Sequence, residues 1–413
     1  MQKIFSPYFL LALYSLMSGC KETAKKAQLE VPVQVVAEMN SPASTSTALP
    51  HLMVNEDVAL LSWVETSNDT LTSLKYSELI DGEWQEAQNI LSGTGWFVNW
   101  ADYPMITENN GNLWSHILKK STEGTYSYYI IINVKPKGKT DWKTDLPLHT
   151  DGTPTEHGFV SIVPYNNHFF VNWLDGRNTE KNEAGEQGAM TLRGGIVSTT
   201  GKMLEEFELD NRTCDCCQTS SAITDNGPIV VYRDRSDDEV RDISIVRHVA
   251  GEWTAPKIIY DDNWQIKGCP VNGPKVDALG NNLVIAWFTG AASKQKVQLA
   301  FSLDGGAEFT QPITVAEGII MGRVDVLWID EDTAVVSWME VNNKTALFNA
   351  MLVNKNGTTS KKQNITELAD SRESGFPQME IMGKTLYFAL TEQVAEVTQV
   401  RTAKMSVDAF SFN

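Results

Sequence analysis

Three of the chain's five cysteines fall within four positions. Cys214, Cys216 and Cys217 stand in "NRTCDCCQTS", and Cys269 follows in "GCPVNGP". Thiols this close together support three chemistries. They can pair as disulfides, for which four cysteines allow three connectivities. They can hold a soft ion such as Cu(I), or Zn(II), with His157 as a further ligand. One of them can serve as an exposed redox thiolate, which needs a basic setting. Only Arg212 flanks the run, and Asp215 opposes it. Taken as one run, the cysteines match no standard zinc spacing.

A second set of chemistry-bearing residues is charged. Arg177 lies in "WLDGRN", Arg233 and Arg235 in "YRDRS", Arg241 just beyond, and Arg323 in "MGRVDV"; Asp175, Asp234 and Asp325 stand beside them. Guanidinium forks grip carboxylates in a bidentate manner, so these residues are candidates for catalysis or for binding an acidic ligand. The same residues serve equally as ion pairs that fix loops. The run "GWFVNWADYP" adds Trp96, Phe97, Trp100 and Tyr103. Such rings either stack on sugar faces or fill space between packed sheets.

The elements that must position these residues recur. Apolar, β-rich runs centred on Trp63, His116, Trp173, Tyr232, Trp287, Trp338 and Leu390 follow one another about every 50–60 residues. Each has a short strand before it and another after it. Several units then close with a turn such as "DGEW" or "AGEW". Four strands per unit around an axis predict an all-β propeller of four-stranded antiparallel blades. Seven units fit best; six fit if the third is irregular. The last unit lacks one strand, and "VPVQVVAE" (31–38) supplies it, closing the ring and protecting both edges. Aligning the innermost strands brings His51, Tyr103, His157, Cys217, Cys269, Arg323 and Gln378 to one mouth. In the disulfide reading, Cys269 pairs with one of the three and ties blade 4 to blade 5. His116 and His168 read as packed or surface residues, and His149 and His248 as loop or edge positions.

"SLDGGAEF" matches the Asp-box pattern through Ser302, Asp304, Gly306 and Phe309. With "RTCDCCQT", "VVYRDRSDDEVRDI", "GCPVNGP", "VIAWFT" and "GRVDV", it resembles bacterial sialidase-like propellers over about residues 157–340. That resemblance implies a glycan ligand or a glycoside hydrolase of exo-sialidase type. Sialidases use an arginine triad, a tyrosine activated by a glutamate, and an aspartate. The Phe/Tyr-Arg-Ile-Pro element near the start is missing, and no arginine precedes Arg177. The other expectation is a non-hydrolytic propeller whose cysteines bind Cu or Zn or form disulfides.

Lys3, an apolar run over 8–17 and "SGC" ending at Cys20 resemble a lipoprotein signal. They imply a signal peptide over 1–19, lipidation of Cys20, a polar tether over 20–30 and one propeller domain over 31–413. Lys21 after the cysteine points to the outer membrane, so the partner there is a membrane reached through a lipid anchor. The net charge of -18 excludes a nucleic-acid binder of the usual basic kind and fits a soluble, exported monomer.

Overall fold

A computed structural model describes residues 35–412, apart from 68–69, 182–184 and 186. Cys20, the signal peptide and the tether lie outside the described residues. Seven antiparallel sheets follow one another along the chain. Their innermost strands are Thr47–Asn55, Ile106–Asn109, His157–Tyr165, Ser220–Thr224, Lys275–Leu279, Ile320–Trp328 and Gln378–Met382. The architecture is the expected seven-bladed propeller. The expected closure is present too: Val36–Met39 pairs antiparallel with Val397–Ser406, so the last blade takes its outer strand from the beginning of the chain.

The recurrent runs form the second strand of each blade. Their marker residues Trp63, His116, Trp173, Tyr232, Trp287, Trp338 and Leu390 are all 0–2% exposed. Wedge-shaped gaps between blades need large side chains, and burying each aromatic removes roughly 150–250 Å² from water.

Polar latches join the blades, six of them at an N–H of an innermost strand. His51 accepts the Ile106 N–H (3.2 Å), Asp102 that of Phe159 (2.8 Å) and Ser161 that of Ser221 (3.0 Å). Ser220 accepts from Val276 (3.2 Å), Asp277 from Trp328 (2.8 Å) and Asp325 from Met379 (3.0 Å). Thr47 accepts the Val400 N–H (3.0 Å) and closes the seventh joint. Each latch satisfies a backbone donor that one sheet alone leaves orphaned. Burial pushes the Asp277 carboxyl up to about 6 and raises Asp325 as well. Asp325, read above as a ligand candidate, is therefore occupied as a latch.

The backbone is bulged at the entry of the inner strands of blades 1, 3 and 6, and takes a similar left-handed turn ahead of that of blade 5. Leu49, Phe159, Val271 and Arg323 all have φ near +50° (57, 52, 49 and 52°). Such conformations cost side chains other than glycine about 1 kcal/mol or more each. Gly158 sits inside one bulge, where an added Cβ would lie 2.0 Å from the Asp102 carboxylate. At the opposite end, Ser302 and Asp304 hold the turn after the third strand of blade 5. Gly306 N donates to the Ser302 hydroxyl (2.9 Å), and Glu308 N to Asp304 (3.0 Å). Gly306 has φ +86°, and Phe309 packs onto the core of blades 4 and 5.

Candidate functional site

Two adjoining clefts open at the bulged mouth. One, of about 380 Å³, is lined by Phe97, Trp100, Tyr126, Glu156, Asp215 and Arg372 among others, with Cys216 and Cys269 in its wall. The other, of about 490 Å³, shares Tyr126, Glu156 and Asp215 and adds Arg235. The aromatic run before blade 2 therefore reaches a cavity. Phe97 stacks on Tyr128 (4.2 Å between centroids), and Trp100 stacks on Phe376 (5.8 Å). Tyr126 is 62% exposed and Arg372 is exposed.

Glu156 occupies the shared wall. It sits one residue before the innermost strand of blade 3, where the chain turns into the mouth. The buried Tyr128 hydroxyl donates to its carboxylate at 2.7 Å. Burial pushes Glu156 up to about 7; the Tyr128 bond opposes that rise and nearby Asp215 adds to it. A carboxyl that exchanges its proton near neutrality, next to an aromatic-lined cavity, suits acid–base work. Across the same wall, Asp215 pairs with Arg235 (3.0 Å), which also pairs with Glu239 (2.7 Å).

The loop that carries Glu156 is pinned by a buried cluster. His149 Nδ1 meets Asp151 at 2.6 Å, and Ile130 N donates to His149 Nε2. His157 Nδ1 faces the Thr155 and Tyr128 carbonyls, and its Nε2 faces Asp151 (3.2 Å) and Asp175 (3.6 Å). The two rings stack at 4.0 Å. Burial, with His157 beside it, holds His149 down near 4. Burial works to raise Asp151, yet the Thr153 and His149 hydrogen bonds outweigh it and hold that carboxyl below its usual range. His157 thus belongs with His149 and Asp151, not with the thiols. His149, placed on a loop or edge by sequence, is 6% exposed. Its partner Asp151 was missed, and only the short His-x-Asp spacing in "LHTDG" hinted at the pair.

The arginines do not form a triad. Arg233 is 2% exposed and gives its donors to the Asn272, Arg241 and Phe288 carbonyls at 2.6–3.0 Å, with Trp264 stacked at 4.8 Å. Arg323 donates to the Gly375 (2.7 Å) and Ser371 (2.9 Å) carbonyls and lies over Trp100 (5.0 Å). Arg177 is clamped on Asp175 (2.8 and 2.7 Å) and also reaches Glu206 (3.2 Å). Asp234 accepts from Ser244 (2.8 Å) and the Arg235 N–H. Of these candidates, Arg235 alone lines a cleft. Arg233 and Arg323 stitch the fold, because buried carbonyls at blade joints need donors that strands do not supply.

The cysteines separate into two pairs. Cys216 and Cys269 form a disulfide between blades 4 and 5, with Cα atoms 6.0 Å apart. Cys214 and Cys217 are free and buried, their sulfurs 3.4 Å apart. Their separation is a Cys-x-x-Cys spacing, which treating the three residues as one run had concealed. The basic setting that sequence did not find comes from across the blade. Arg241 Nη1 donates to Cys214 Sγ at 3.1 Å, whereas Arg212 turns away to Asp237 (3.1 Å). The Cys217 bond, set against burial and helped by Arg241 and Arg233, brings the Cys214 thiol down to about 6. Burial, then the bond to Cys214, pushes Cys217 up.

Comparison with known protein families finds no match for the chain, and no curated protein matches it. Solved structures do. A PL25 ulvan lyase superposes with a TM-score of 0.55 at 11% identity, over 88% of this chain and 95% of that one. An α-L-arabinofuranosidase mutant from Fusarium graminearum, with an iminosugar inhibitor, gives 0.51 at 11%, over 91% and 98%. A polysaccharide lyase, Uly1, gives 0.51 at 10%, over 87% and 90%. At these identities the likeness is one of fold.

Proposed function

We propose that the twin clefts form a glycan-processing site and that Glu156 is its general acid. The observation that carries this reading is a carboxyl poised near neutrality, hydrogen-bonded to Tyr128, in a cleft walled by Phe97, Trp100 and Tyr126. Glu156 donates its proton to the glycosidic oxygen. Asp215, paired with Arg235, serves as base or nucleophile. Support also comes from the fold: the similar structures include two polysaccharide lyases and an arabinofuranosidase. An exo-sialidase mechanism is not part of the proposal, because Arg177, Arg233 and Arg323 already have their partners.

The test is hydrolysis of a panel of paired glycosides, each sugar carrying either a dinitrophenyl or an alkyl leaving group. Glu156→Gln should lower kcat/KM on the alkyl member by about 10²–10⁴-fold, the usual worth of general acid catalysis. The dinitrophenyl member needs little protonation and should lose far less. Equal losses on both, or none, refute the role.

We further propose that the protein is exported and held in the outer membrane through lipid on Cys20, as Lys3, the apolar run and "SGC" suggest. Cys20→Ser should release the chain from the membrane fraction; if it stays there, the anchor is elsewhere.

A further inference from the structure

We propose that Cys214 and Cys217 form a two-coordinate thiolate site for a soft monovalent metal ion, Cu(I), beneath the glycan cleft. The pair is set apart from the disulfide in two ways. Its sulfurs face each other at 3.4 Å, and both residues are buried, Cys214 at 0% and Cys217 at 2% exposure. Cys216 Sγ lies within 4.8 Å of both but is bonded to Cys269, so it cannot act as a thiolate.

Arg241 argues against a second disulfide. Its side chain is 4% exposed, and Nη1 is aimed at Cys214 Sγ while Nε has no partner. A thiolate is a stronger acceptor for this charged donor than a disulfide sulfur would be, while Nη2 keeps its ion pair with Glu239 at 2.8 Å.

A bis-thiolate Cu(I) complex carries one negative charge, which suits the Arg241 donor on Cys214. Cu(I) takes the place of the thiol protons, which pass to water, and no electron moves. Zn(II) demands four ligands, and no histidine joins the sulfur group. Soft thiolates in a dry pocket select Cu(I) over harder ions.

The test loads the purified, unreduced mature protein anaerobically with Cu(I), then challenges it with bathocuproine disulfonate. The expected result is one Cu(I) retained per chain, with two sulfur ligands by X-ray absorption. Cys214→Ser and Cys217→Ser should each abolish retention, and the Cys216→Ser/Cys269→Ser variant should keep it. Arg241→Met should weaken Cu(I) binding by about tenfold, the worth of one charged hydrogen bond. Three results overturn the proposal: no retention by the wild type, retention by both single variants, or an intact mass showing a Cys214–Cys217 disulfide in the native protein. The mass measurement stands even if a variant does not fold.

Discussion

Removing the Cys216–Cys269 disulfide gives a stability change that can be worked from the chain. The bridge spans a sequence separation of 53. Loop-closure entropy for that length is about 14 cal/mol/K, or about 4 kcal/mol at 25 °C. The propeller unit runs from Val35 to Asn413. Unfolding its roughly 380 residues at about 2.1 cal/mol/K each gives an entropy near 0.8 kcal/mol/K. The quotient is a Tm shift of about 5 °C for Cys216→Ser/Cys269→Ser if all blades unfold together. Scanning calorimetry with and without reductant tests this. Reductant should lower the wild-type Tm by the same amount and leave the double variant unchanged. A wild-type Tm indifferent to reductant would refute the staple. A double variant that still responds would mean that Cys214 and Cys217 are the oxidised pair. A shift well above the calculated value would show instead that blades 4 and 5 melt as a smaller unit.

Three further outcomes follow from the same geometry. Arg233→Met should cost about 3–5 kcal/mol, because three buried carbonyls lose their donors; thermal melts measure it, and an unchanged Tm with lost ligand binding would restore Arg233 to the ligand site. Glu156→Gln should stabilise the fold at pH 8 by about 1–3 kcal/mol and not at pH 4. The raised carboxyl favours the folded state below the unfolded pKa of about 4.5 and loses that advantage as pH rises through about 7; denaturant titrations at the two pH values check it, and equal effects at both would contradict it. Gly158→Ala should destabilise by about 1–3 kcal/mol, since its Cβ meets the Asp102 carboxylate at 2.0 Å; a neutral effect on Tm would mean that the latch shifts freely.

The architecture was legible because it rests on a pattern that physics enforces at every repeat. Each second strand needs a large buried residue, and all seven markers are buried. The missing strand was legible from an unpaired edge, and Val36–Met39 fills it. The site was less legible for a definite reason. Arginine and aspartate serve a blade joint and a ligand pocket equally well, and sequence carries no sign of which carbonyls are left without donors. Arg233 and Arg323 went to such carbonyls. Glu156 went unremarked because its character comes from burial and from Tyr128, 28 residues away in sequence. Arg241 likewise meets Cys214 only because Arg233–Asp242 doubles back past Thr213 and Cys214.

The seven blades share one scaffold, yet the chemistry collects on one side of the mouth. Polar latches recur at every joint, so they cannot be what distinguishes the site. The distinction comes from what holds the connecting segments. Blade 3 is reached through a loop fixed by His149, Asp151 and His157, which ends on Glu156. Blade 4 is reached through the cysteine run, fixed by a disulfide on one side and Arg241 on the other, which sets Asp215 against Arg235. Acid–base groups work best when their geometry is fixed before the ligand arrives. Both segments have buried hydrogen-bonded or covalent anchors behind them, and they carry the two carboxylates that share a wall. That coincidence of rigidity with two cleft-lining carboxylates, more than the likeness of fold, is why the proposed site lies between blades 2 and 4 rather than on the axis.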